Sequence, residues 1–261
     1  LNLIIILIKT YFEKLYLGFS FFLIKFETEI LINTHNMKKI LFGSLLLMSF
    51  FSQAQLDLRS TEFGLVAGGT YSRVRNAHNP SGPRISILGG VTAQAPIGST
   101  EQYYLQIEAL YFGAGETGKA KDAKGSKGYD AIYGNNYLSV PLNFKAYFSE
   151  AESEFYGLIG PRFNFLINQK VKNVPAGREY YDPNVVNPDY PEINGKANAF
   201  NLGVGVGVGF SYKRQLEIAL KYDIGLSNAY PNLVEAWTID PDSQKKKSEQ
   251  VLSVGLSYIF E

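Results

Sequence analysis

"FNLGVGVGVGFSY", residues 200–212, sets a bulky apolar side chain at every even position, with Asn201, Gly203, Gly205, Gly207, Gly209 and Ser211 between them. Period two marks a β-strand whose faces meet different surroundings, whereas a helix of about 3.6 residues per turn would smear the same residues around its circumference. One face is bulky and the other almost bare. After Lys213-Arg214 the pattern resumes in "LEIALKYDIGLSN", where Leu216, Ile218, Leu220, Tyr222, Ile224 and Leu226 oppose Glu217, Lys221 and Asp223. Upstream, Leu138, Val140, Leu142, Phe144, Ala146 and Phe148 alternate with Ser139, Asn143 and Lys145.

Extending this reading along the chain predicts strands over about 62–72, 83–93, 102–113, 136–149, 154–168, 199–213, 215–227 and 249–261. The connections 73–82, 114–135, 169–198 and 228–248 are long, and the ones between them are short. Alternating long and short links, an even strand number and strands of about 9 to 11 residues or more are the pattern of an outer-membrane barrel. The predicted fold is all-β: an eight-stranded antiparallel up-and-down transmembrane barrel with short periplasmic turns and long extracellular loops. In lipid only closed barrels and helices satisfy their own backbone, so apolar faces turned to lipid force closure. A soluble periplasmic lipocalin-like barrel has the same alternation turned inside out and is the rival architecture. Aromatic pairs near strand ends, Tyr103-Tyr104, Tyr111-Phe112, Tyr147-Phe148 and Phe155-Tyr156, are read as interfacial girdles.

The route to that membrane is expected in "MKKILFGSLLLMSFFSQAQ", residues 37–55. Lys38 and Lys39 precede an apolar core too short to span a bilayer, and Ser52-Gln53-Ala54 gives small residues where a signal peptidase needs them. Residues 37–54 are thus read as a signal peptide cut between Ala54 and Gln55. Residues 1–36, interrupted by Lys9, Glu13, Lys14, Lys25, Glu27 and Glu29, are read as a translated upstream extension, and 55–261 as the barrel domain. Without residues 1–54 the chain has 207 residues, with 20 Lys/Arg against 21 Asp/Glu. That balance gives no electrostatic case for a nucleic-acid partner. The absence of cysteine means no disulfides hold the fold.

Several segments resemble the PorT-like outer-membrane barrel proteins of Bacteroidetes. "NNYLSVPLNFKAYF" at 135–148 is similar to that family's Tyr-Leu-x-x-Pro-Leu-x-x-Lys strand, and "FYGLIGPRFNFLIN" at 155–168 carries its Gly160-Pro161. "FNLGVGVGVGFSY", "LEIALKYDIGLSN" and the closing "VLSVGLSYIF" continue the likeness. The resemblance implies an eight-stranded outer-membrane barrel and, through the family's namesake, a link to type IX secretion or gliding machinery.

With apolar faces outward, the lumen receives Arg84, Glu108, Asn143, Lys145, Arg162, Asn164, Glu217, Lys221 and Asp223. Charges in so narrow a space are expected to pair into a plug, because removing one partner of a buried pair costs about 3–5 kcal/mol. A proton or ion path through them is the functional alternative. The spaced glycines at 203–209 do not fit a nucleotide loop and are read as clearance for lumen side chains such as Arg162 or Lys221.

Outside the strands, His78 stands near Ser81 in "HNPSGP" and is read as a solvated loop histidine, not a catalytic base. Lys119, Lys121, Lys124 and Lys127 form a basic stretch able to meet lipopolysaccharide phosphates. Tyr180, Tyr181, Tyr190 and Trp237 are the candidate recognition surface for an envelope protein partner. Asp182, Asn184 and Asp189 lack the spacing of an EF-hand, so no metal or other cofactor is expected. The expected function is a non-enzymatic structural or interaction component of the envelope, set against a small barrel enzyme, a narrow channel or a lipocalin-like binder.

Overall fold

A computed structural model of the chain describes residues 58–98, 100, 102–119, 129–234 and 245–260. The expected leader with its Ala54/Gln55 cut, the upstream extension, Lys121, Lys124, Lys127 and Trp237 lie outside those residues. Strands β1 (Glu62–Arg75), β2 (Ser81–Pro96), β3 (Tyr103–Gly118), β4 (Ile132–Tyr147), β5 (Glu154–Lys172), β6 (Phe200–Tyr212), β7 (Leu216–Gly225) and β8 (Ser248–Phe260) pair in chain order. Each is antiparallel to its neighbours, and β8 returns to β1 from Phe63↔Phe260 to Arg75↔Ser248, closing the barrel without an edge.

The alternation fixes which way each strand faces. On β6 the even residues point out and the bare row points in, and β7 follows with Ile218 and Leu220 outside and Glu217 and Asp223 buried. The outer wall carries large exposed apolar side chains, Ile85 at 80% and Ile87 at 68%, while Glu108, Lys145, Arg162 and Glu217 are buried inside. A water-soluble barrel would invert this arrangement. The outside is therefore built for lipid, and the lipocalin-like alternative is excluded.

Aromatic residues gather at both margins of the apolar wall: Tyr103 stacks on Phe144 and Phe155 meets Phe210 at the turn end, and Phe165 meets Phe200 toward the loop end. The expected girdle pairs are corrected by half. Tyr104, Phe112, Tyr147 and Tyr156 are buried in the interior, since adjacent residues on a strand cannot share a face.

Inward glycines do give clearance. A methyl group on Gly209 would run into the Tyr156 ring, and one on Gly205 would run into Asp223 Oδ1. On Gly207 it would approach Leu158 and the Lys221 stem at 3.0 and 3.1 Å.

At the loop end the strands outrun their expected limits, and the first connection contracts to residues 76–80. Residues 73–75 of β1 pair with β8, while 81–83 of β2 pair with β3. The ladder thus continues past the lipid-facing band, and the loops start from a raised rim.

Candidate functional site

Two polar assemblies stand out, one inside the barrel and one above it. At the turn end, Lys145 Nζ donates to Glu217 Oε1 and Oε2 at 2.6 and 2.7 Å and to Gln94 Oε1 at 2.9 Å. Tyr147 Oη donates to the same Glu217 at 2.6 Å, and the ammonium lies against the rings of Tyr147 and Tyr156. The Arg214 guanidinium covers Tyr147 from the turn side, 3.6 Å from the ring centroid. One level up, Lys221 Nζ donates to both oxygens of Glu108 at 2.6 and 2.7 Å, and Gln106 donates to Glu108 at 2.7 Å. Higher still, Arg162 pairs with Asp223 at 2.9 Å, stands 4.0 Å from Glu249, and lies over Phe112.

These are the predicted lumen residues, and the fold brings six of the seven named charges into three ion pairs. The seventh, Arg84, stands near the rim, donates to the Ala114 carbonyl and fills the space left by Gly134. Asn143 and Asn164 are also buried, Asn164 accepting from Ser139 at 2.7 Å. Sequence reasoning missed Glu249 and Glu116. Glu249 lies at the start of the predicted strand in the same phase as Val251 and Ser253, so the alternation that turns Leu252 and Val254 outward already pointed it inward, whereas Glu116 follows the bend at Gly115 (φ 119°) in a stretch that reads as loop. The cavity bordered by Glu108, Arg162, Lys221 and Asp223 holds about 30 Å³, room for a water or two and no more.

Above the barrel the connections fold on one another into a second, apolar core. Val74, Ala77, Ala131, Tyr133, Tyr180, Tyr181, Ile193, Ala229, Tyr230, Leu233 and Val234 form it. His78 stacks on Tyr133 at 3.6 Å with the rings 5° from parallel, and meets Tyr181 and Tyr230 edge-on. Its Nδ1 lies 2.8 Å from Glu116 Oε2, and Ser81 Oγ donates to Glu116 Oε1 at 2.9 Å. A carboxylate only accepts, so Nδ1 carries the proton and Glu116 clips the first connection to β3.

Two expectations are corrected here. His78 is 4% exposed, not solvated. Tyr180 and Tyr181, at 4% and 2%, are interior to the cap instead of offering a recognition surface, and Tyr190 is partly buried against the same core. The reason is shared: loops this apolar fold on each other before they meet water. Asp182 accepts from the backbone and side-chain amides of Asn184, an Asx turn, and among the described residues no His, Cys, Asp and Glu group could hold a metal ion. Ser81 donates to Glu116 and not to His78, so this pair does not have the hydrogen bond that would activate the serine as a nucleophile.

Burial pushes the His78 pKa below its ordinary value, outweighing the opposing hydrogen bond and charge of Glu116. The opened cap binds a proton near pH 6.5 and the closed cap only at lower pH, so cap stability is full above about pH 6.5 and falls as pH drops through the lower closed-state value. Amide exchange in residues 173–199 is expected to quicken between pH 7.5 and pH 5 after correction for intrinsic rates. His78→Phe should flatten that dependence, and an unchanged profile in this variant would exclude the histidine as its source.

A closed barrel with an apolar wall, aromatic margins and charges neutralised inside is an integral membrane protein that crosses lipid with strands. The chain belongs to the outer membrane protein beta-barrel domain family, whose profile matches residues 51–230, and its location is the outer membrane. Among solved structures it is similar to Ail, the attachment invasion locus protein of Yersinia pestis, in complex with the heparin analogue sucrose octasulfate: 11% identity, TM-score 0.38, covering 77% of this chain and 99% of that one. It is also similar to Neisserial surface protein A, with 13% identity, TM-score 0.39 and 76% and 97% covered. OprG from Pseudomonas aeruginosa gives 10% identity, TM-score 0.38 and 77% and 96%. Scores at this level carry no functional argument. No curated protein matches the chain.

Proposed function

We propose that this protein is a non-enzymatic, non-conducting barrel that serves the envelope as a structural or interaction component, exported through the leader at 37–54. The observation that carries this reading is the filled interior: Lys145–Glu217, Lys221–Glu108 and Arg162–Asp223 occupy successive levels and leave about 30 Å³ between them. A substrate or hydrated ion has no room there. Function then belongs to the outer surface and the cap, where lipopolysaccharide and an envelope protein are the partners in view. The finer link to PorT-like proteins and to type IX secretion or gliding machinery rests mostly on Pro141-Leu142-x-x-Lys145 and Gly160-Pro161.

Planar-bilayer recording tests the plugged interior directly. The folded barrel is expected to give no steady single-channel current, and large, stable steps would overturn the reading in favour of a channel.

A further inference from the structure

The outward face of β1 runs Phe63, Leu65, Ala67, Gly69, Tyr71 and then changes character to Arg73 and Arg75. From Phe63 to Tyr71 is about 27 Å of strand, or about 20 Å along the membrane normal at a tilt of about 40°. That is close to the height of the apolar band, so Tyr71 marks its upper margin and the two arginines stand at the level of the headgroups. On the neighbouring strand Gln250 faces outward opposite Arg73, and Ser248 stands opposite Arg75. Arg73, Arg75, Asn76 and Gln250 line a shallow cleft on this flank that is open to solvent.

Among the described residues, the charged side chains exposed on this flank are positive. Asn76, held with φ at 58°, donates to the Lys246 carbonyl at 3.1 Å and so fastens exposed Lys245 and Lys246 beside the cleft. On β8 Glu249 points inside the barrel, and Glu116 of β3 stands 4.0 Å from Arg73 Nε, leaving the arginine side chain 59% exposed. Two guanidinium forks and two carboxamides around one concavity match a phosphate on a sugar better than any apolar group or cation.

We propose that this cleft binds the phosphorylated saccharide headgroup of an outer-leaflet lipid, with Arg73 and Arg75 holding the phosphate and Asn76 and Gln250 meeting the sugar hydroxyls. The site rests on the outer-membrane orientation proposed above. It fixes the β8–β1 seam to the leaflet and leaves the cap free. Lys170 and Lys172, exposed on β5, provide a comparison of equal charge on another strand.

Native mass spectrometry of the folded full-length barrel, released from vesicles holding bis-phosphorylated lipid A, tests the site. The wild type and K170Q/K172Q are expected to retain lipid A, and R73Q/R75Q to lose retention by about tenfold or more. Lipid A stripped of phosphate should not be retained, and millimolar inorganic phosphate should not displace the intact lipid. Equal retention by R73Q/R75Q, retention of the stripped lipid, or displacement by free phosphate would each overturn the assignment. Heat-modifiable migration of every variant separates this outcome from failure of the barrel itself: a chain that embeds but retains no lipid A refutes the cleft and leaves the fold reading intact.

Discussion

Lys145→Met destabilises the folded barrel by about 3–5 kcal/mol, because the substitution leaves Glu217 buried without its cation. The methionine fills similar volume, so the loss is electrostatic and not a cavity effect. Tyr147 still donates to Glu217, and Gln94 loses the ammonium it accepted from. Urea unfolding in lipid vesicles, followed by the shift between compact and extended gel bands, reads the change. K145M/E217L removes both charges and is expected to recover most of the loss. If K145M unfolds at the wild-type midpoint, Glu217 is not held by that lysine and the plug is not load-sharing in the way its geometry indicates.

The ion pairs were legible because a barrel turns sequence phase into position. Once Glu217, Lys221 and Asp223 are known to oppose Leu216, Leu220 and Tyr222, they can only point inward. Register then decides the partners: Lys145 and Glu217 are 72 residues apart, and no local pattern joins them. The same phase rule exposes the error over the aromatic girdles. Tyr147 follows the outward Ala146 and so faces inward, and its ring joins the plug once β4 is assigned.

The cap was not legible, for a different reason. Its core draws on Tyr133 from β4, Tyr180 and Tyr181 from the third connection, and Tyr230 and Leu233 from the fourth, with no periodicity to announce a buried face. His78 meets Glu116 across 38 residues, and both had been assigned to separate solvated loops. A warning was present in composition: a loop containing Tyr180, Tyr181, Val185, Val186, Tyr190 and Ile193 is too apolar to be left in water. The barrel interior mixes paired charges with apolar side chains such as Leu88, Leu110 and Phe112, whereas the loop core is mainly apolar, and only the barrel's inward positions follow from strand phase.

That second core makes the cap separable from the barrel, and Tyr133→Ala is the substitution expected to separate them. Tyr133 is fully buried, stacks on His78 and meets Tyr181 edge-on at 5.8 Å. Truncating a buried aromatic costs about 3–5 kcal/mol. Its backbone is unaffected, pairing with Glu116 on β3 and Val171 on β5, so the ladder that closes the barrel survives. The cost then falls on the connection 173–199 as local opening and not on global unfolding. Arg178, lying against Tyr129 and Tyr181 in the closed cap, becomes a site for trypsin. Tyr133→Phe serves as the control, since the hydroxyl makes only a 3.4 Å contact with Tyr129 and its loss should cost less than about 1 kcal/mol. Cleavage after Arg178, followed by mass spectrometry on proteoliposomes, should accelerate in Y133A while the urea midpoint of the barrel moves little. Protection of Arg178 equal to that of the wild type would show that the cap is held by something other than its aromatic core. A barrel that fails to form at all would show that cap and strands fold as one unit.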